Sequence, residues 1–94
     1  MKSYKFMFAV RQTEQYGLEK LRLQAITSEY FTNYTQYDSV GVLNGVAEKG
    51  CIIETICDNI EHEKVMEYCD KLKVQFKQDG ILVTVQNLSG VELN

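Results

Sequence analysis

The opening residues "SYKFMFAVRQ" alternate in polarity: Tyr4, Phe6, Phe8 and Val10 fall on one side, while Lys5, Met7, Ala9 and Arg11 fall on the other. A period of two is that of a β-strand with one apolar face. From about Glu14 to Tyr30 good helix formers follow, with Leu18, Leu21 and Ala25 at spacings of three and four and Thr13 placed to cap the first turn. Thr35 to Ala47 is β-branched and aromatic but holds Gly41 and Gly45, which predicts a strand with a bulge or a close backbone approach. "AEKG" then predicts a turn, and "CIIETICD" a third strand paired antiparallel across it with the strand just before.

The next segment, "DNIEHEKVMEYCDKLKVQFKQDG", has a helical period. Val65, Met66, Cys69, Leu72 and Phe76 share one face, and Glu63, Lys64, Glu67, Lys71 and Lys77 lie largely on the other. Asp58 or Asn59 is placed to cap it, Glu61 and Glu63 suit the positive end of its dipole, and Gly80 is placed to stop it. "ILVTVQNL" predicts a last strand. The order β-α-β-β-α-β predicts an α+β, ferredoxin-like fold: a four-stranded antiparallel sheet with two helices on one face. Right-handed crossovers put the first and third strands in the centre. The second sheet face is then left without intrachain cover, which predicts a homo-oligomer, a dimer or trimer.

Composition adds bounds. The 94 residues suit one domain, 1–94, with a tail at 89–94 that frays. The net charge is -3 with Lys and Arg scattered, which argues against DNA, RNA or an anionic membrane as partner. No apolar run approaches the ~20 residues that span a bilayer, and "MKSYKFMFAV" lacks a cleavage site for a signal peptide, so a cytoplasmic location is expected. Cys51, Cys57 and Cys69 are odd in number and lack C-x-x-C spacing, which implies neither a disulfide framework nor a zinc knuckle.

A search for catalytic chemistry finds little. His62 is the one histidine, it has no second histidine at i+4, and Glu61, His62 and Glu63 spread around a helix, so no metal site is expected. Gly41, Gly45 and Gly50 form no phosphate loop and instead read as hairpin punctuation. These residues imply a protein that is not an enzyme and carries no cofactor. Glu54 lies between Ile52 and Ile56 on one strand face, where it either pairs with Lys5 or Arg11 of the neighbouring strand or contacts a ligand. Tyr30, Phe31, Tyr34 and Tyr37 either complete the core or present rings for stacking and for partner contact. Arg11 and Arg22 are the only arginines, and Arg11 at a central strand end is the preferred anion contact.

"GVLNGVAEKGCIIETICDN" and "VMEYCDKLKVQFKQDGILVTVQ", from Gly41 to Gln86, resemble small bacterial and phage proteins of ferredoxin-like fold, related in shape to the trimeric PII-type signalling family. Gly45, Glu48, Phe76 and Gln78 carry the resemblance, and Lys49 with Gly50 departs from it where relatives show an acidic or small residue and then serine. The resemblance implies small ligands, often nucleotides, in clefts between subunits, and for phage proteins the sequestration of nucleotide immune signals or the blocking of a host enzyme. The resulting expectation is a non-enzymatic homo-oligomer that binds or sequesters a small anionic, nucleotide-like ligand, such as a phage sponge for a host immune signal. Its ligand-binding residues would be Arg11, Tyr30, Tyr34, Tyr37 and Glu54. The alternative is a protein interaction module or inhibitor of a host protein that uses the same tyrosines.

Overall fold

The computed structural model describes residues 1–9 and 16–88. Its elements are β1 (Lys2–Ala9), α1 (Tyr16–Tyr30), β2 (Thr35–Leu43), β3 (Val46–Cys57), α2 (His62–Phe76) and β4 (Leu82–Asn87). All strand pairings are antiparallel and the sheet order is β2-β3-β1-β4, with β1 and β3 central. This is the ferredoxin-like α+β fold. Arg11, Thr13 and the tail at 89–94 lie outside the described residues. Among the described residues, no helix is long and apolar enough to cross a membrane.

The alternation in β1 builds the core. Tyr4, Phe6 and Phe8 are buried with Cys51 and Ile53 of β3, and both helices close over this face with Leu23 and Ile26 of α1 and Tyr68, Cys69 and Leu72 of α2. Phe6 meets Tyr68 edge-on at 4.9 Å and stacks with Phe31 at 5.8 Å, so three aromatic rings fill the centre. Asn59 pins the strand-to-helix connection, its Oδ1 accepting from the Tyr4 hydroxyl at 3.3 Å while that hydroxyl accepts from the Ile60 amide at 3.1 Å.

Several local expectations are corrected. The hairpin turns at Asn44 and Gly45, with φ of 52° and 77°, and "AEKG" is part of β3. Two successive left-handed residues match the twist of the flanking strands, and Asn-Gly is the pair that adopts them at least cost. The close backbone approach is at Gly50, where a Cβ would stand 2.5 Å from the Phe8 carbonyl oxygen, while Gly41 has open space around it.

Among the described side chains of α1 the buried ones are Leu23, Ile26 and Thr27; Leu18 and Leu21 are 63% and 62% exposed and Ala25 is exposed. In α2, Tyr68 is buried and Met66 is exposed. The residue before α2 is Glu61, without a side-chain cap, so neither Asp58 nor Asn59 caps the helix. The helix ends at Phe76, ahead of Gly80, with Lys77 in the left-handed region and the Gln78 amide on the Lys73 carbonyl at 3.0 Å.

Candidate functional site

Strand register places side chains of the uncovered sheet face in rows that run across the strands. Thr35, Glu54, Lys5 and Thr84 make one row. The next, one pleat along, is Tyr37, Ile52, Met7 and Leu82. Beyond it come Ser39, Gly50 and Ala9. The face is therefore banded into a polar row, an apolar row and a row of small residues, because side chains two apart on each strand share a face and the registers align.

Glu54 sits in the middle of the polar row. Its Oε2 accepts a hydrogen bond of 2.6 Å from the hydroxyl of Ser3, which is only 3% exposed. Lys5 stands directly opposite Glu54, yet among the described residues it forms no ion pair with it. Of the two partners expected for Glu54, Lys5 is replaced by the diagonal serine bond, and Arg11 lies outside the described residues. That bond fixes the carboxylate on the uncovered face.

Two adjoining hollows meet near this carboxylate. One, of about 350 Å³, is bordered by Asn33, Tyr34, Thr35, Glu54 and Ile56. The other, of about 520 Å³, shares Thr32, Asn33 and Ile56 with it and continues to Tyr30, Phe31, Asn59 and Lys64. The turn from α1 to β2 separates them, held by the Thr55 hydroxyl donating to the Asn33 carbonyl at 2.7 Å.

The structure therefore brings Tyr34 and Glu54 together and sets Tyr30 in the neighbouring hollow. The Tyr34 hydroxyl is committed to the Ser28 hydroxyl at 2.7 Å and the Gln24 carbonyl at 3.0 Å, which turns its ring toward α1, where it packs against the core. Tyr30 packs its ring against Tyr68 at 5.2 Å, with the Lys71 ammonium 5.9 Å from its centre. Burial, and then the charge of Glu67, push its phenol above the ordinary range. Tyr37 lies in the apolar row opposite Ile52, one pleat from Glu54. Arg11 lies outside the described residues. Lys5 was anticipated beside Glu54 as an ion-pair partner; Ser3 was not, because its contact depends on the register of residues 51 apart in sequence.

No protein-family model and no curated protein sequence matches the chain. Among solved structures, a phage SAM lyase in its apo state aligns with a TM-score of 0.56 and 16% identity, over 90% of this chain and 78% of that one. The divalent ion tolerance protein CutA1 from Ehrlichia chaffeensis aligns at a TM-score of 0.43 and 12% identity, over 97% of this chain and 84% of that one. The likeness to the first is one of fold.

The resemblance to phage proteins of ferredoxin-like fold is thus met at the level of fold, and no sequence family accompanies it. The lyase also overturns the expectation that this chain is not an enzyme. A chain of the same architecture breaks bonds, so the lack of a nucleophile with a partner base does not argue against catalysis here.

Proposed function

We propose that the chain forms a homo-oligomer which holds an S-adenosylmethionine-like nucleoside at the Glu54 end of its uncovered sheet face and acts on it as a lyase. The observation that carries this reading is the Ser3-held carboxylate of Glu54, set on an uncovered face beside a hollow that Tyr34 also borders. A purine stacks on an aromatic ring, and a cationic sulfonium is favoured beside a carboxylate. The shared fold with a lyase that takes this substrate supports the same reading.

The chemistry explains why no familiar catalytic motif is needed. When the carbon–sulfur bond of a sulfonium breaks, sulfur keeps both electrons and departs as a neutral thioether, so no general acid has to protonate it. In an elimination the neighbouring carbon loses a proton, its bonding electrons form the new double bond, and the proton passes to a base. Glu54 is the base in this proposal, and the sulfonium raises the acidity of the substrate. Tyr37, Ile52, Met7 and Leu82 supply the apolar contact between copies, which puts the adjoining polar row at the border between subunits.

The test is incubation of the purified protein with S-adenosylmethionine, followed by mass spectrometry of the products. The expected result is a thioether nucleoside that accumulates with the wild type and is lost with Glu54→Gln. Binding should also raise the melting temperature of Glu54→Gln, by about 10–20 °C at 100 times Kd. A wild type that turns over no S-adenosylmethionine, together with no melting shift in the variant, would overturn the proposal.

A further inference from the structure

We infer that Lys5 recognises the carboxylate of the ligand, so that the molecule bound is a nucleoside carrying an amino-acid arm. The inference rests on the reading that Glu54 lies in the ligand site, and it adds the residue that selects for the arm. Lys5 and Glu54 face each other across the two central strands. Opposite charges so placed normally pair, because their Cβ atoms are about 4.5–5.5 Å apart. Here Glu54 turns to the Ser3 hydroxyl instead, and the ammonium of Lys5 has no carboxylate within 4.0 Å among the described residues.

The surroundings of Lys5 strengthen the argument. It is half-buried in the centre of the sheet, with neutral Thr84 opposite it on β4 and Met7 next along its own face. A half-buried ammonium with no counter-ion among the described residues gains from an anion brought to it. One cation and one carboxylate, adjacent and not neutralising each other, suit a ligand with both charges. The ligand's carboxylate on Lys5 sets its carbon chain and its cationic sulfur beside Glu54. A simple nucleotide, with only negative charge, would meet Glu54 as repulsion.

The probes are S-adenosylhomocysteine and its decarboxylated form, which differ only in the carboxylate and lack the sulfonium, so neither is consumed. Titration calorimetry of the wild type should show a preference of about tenfold or more for the carboxylate-bearing molecule. Lys5→Met should abolish that preference while keeping affinity for the decarboxylated form, and Lys5→Arg should retain it. A preference that survives Lys5→Met, or a wild type that binds both probes equally or binds neither, overturns the assignment. Turnover of S-adenosylmethionine by the wild type reports separately on the reading beneath it, so the two fail in different ways.

Discussion

Thr27 and Tyr68 hold each other through a hydrogen bond of 2.7 Å between their hydroxyls, one from each helix, both residues fully buried. Each hydroxyl satisfies the other, and the pair ties α1 to α2 over Phe6. Removing one partner strands the other in an apolar setting, which costs about 1–3 kcal/mol, whereas removing both is nearly neutral. Tyr68→Phe and Thr27→Val should each destabilise the protein, and the double variant should lose less than the two losses added. Urea denaturation of the four proteins in a double-mutant cycle checks this; additive losses would mean that the hydroxyls are not coupled.

The same pair sets an alkaline limit. Burial pushes the Tyr68 phenol well above its ordinary value of 10.0, with the Thr27 bond opposing in part. The folded chain therefore keeps this proton at a pH where the unfolded chain has lost it. Fewer protons on the unfolded state make stability fall as pH rises, so the Tyr68 contribution is complete below about pH 10 and declines above it. Unfolding free energies measured from about pH 9 to pH 11.5 should fall less steeply in Tyr68→Phe than in the wild type. Parallel slopes would contradict the assignment.

Gly50 and Gly41 look alike in sequence and should behave oppositely. A methyl group at Gly50 meets the Phe8 carbonyl oxygen at 2.5 Å and the Ser39 hydroxyl at 3.2 Å, and the first is backbone that cannot swing away. Gly50→Ala should cost about 1–3 kcal/mol, as overpacking does. At Gly41 nothing lies within 4 Å, so Gly41→Ala should be neutral or stabilise by up to about 1 kcal/mol through reduced chain entropy. Chemical denaturation of the two variants separates them.

In α1, Leu23→Ala should cost about 2–5 kcal/mol, because Leu23 is fully buried in the core. Leu18→Ala, on the exposed side, should stay within about 0.5 kcal/mol. Equal effects at the two positions would contradict the facing of this helix. Midpoint shifts in urea measure both.

That helix shows where the sequence could be read and where it could not. Apolar residues fall on two sides of α1, so spacing alone admitted Leu18, Leu21 and Ala25 as the inner face; only packing on Phe6 and Tyr68 chooses Leu23 and Ile26. The alternation of β1 and the long face of α2 were legible because each has one strong apolar side, and β-α-β-β-α-β then followed. The hairpin turn was misplaced at "AEKG", although Asn44-Gly45 is the pair that two left-handed residues require, and the close approach assigned to the strand with Gly41 and Gly45 falls at Gly50 instead. In the site, Glu54 stood out as a charge between isoleucines. Its partner did not, because Ser3 meets it only through the register of β1 on β3.

Ser3 should matter to the ligand more than to the fold. Its hydroxyl holds one oxygen of Glu54 and keeps the carboxylate turned from Lys5. Without it the two charges, already opposite in register, are released to pair. Ser3→Ala should therefore weaken binding of S-adenosylhomocysteine by about tenfold while changing stability by about 1 kcal/mol or less. Unchanged affinity in calorimetry would show that Ser3 has no positioning role.

The proposed oligomer has its own requirement on the apolar row. Leu82 is 62% exposed at one end of the row, Ile52 and Met7 are half-buried beside it, and a trough of about 460 Å³ bordered by Met7, Gly50, Ile52 and Leu82 runs along the small residues of the next row. A ridge next to a trough on one face can pack against a second copy of itself, since a two-fold contact uses the same surface twice. Charge at the ridge would have to be desolvated on assembly, whereas in the monomer it points to water. Leu82→Lys and Ile52→Lys should therefore yield folded monomers, with unchanged far-ultraviolet circular dichroism, where native mass spectrometry of the wild type finds a multimer. Because the polar row adjoins this contact, the monomeric variants should also lose turnover of S-adenosylmethionine although Glu54, Ser3 and Lys5 are intact. A wild type that is monomeric at micromolar concentration would remove the shared site, and full activity in a monomeric variant would place the whole site within one chain.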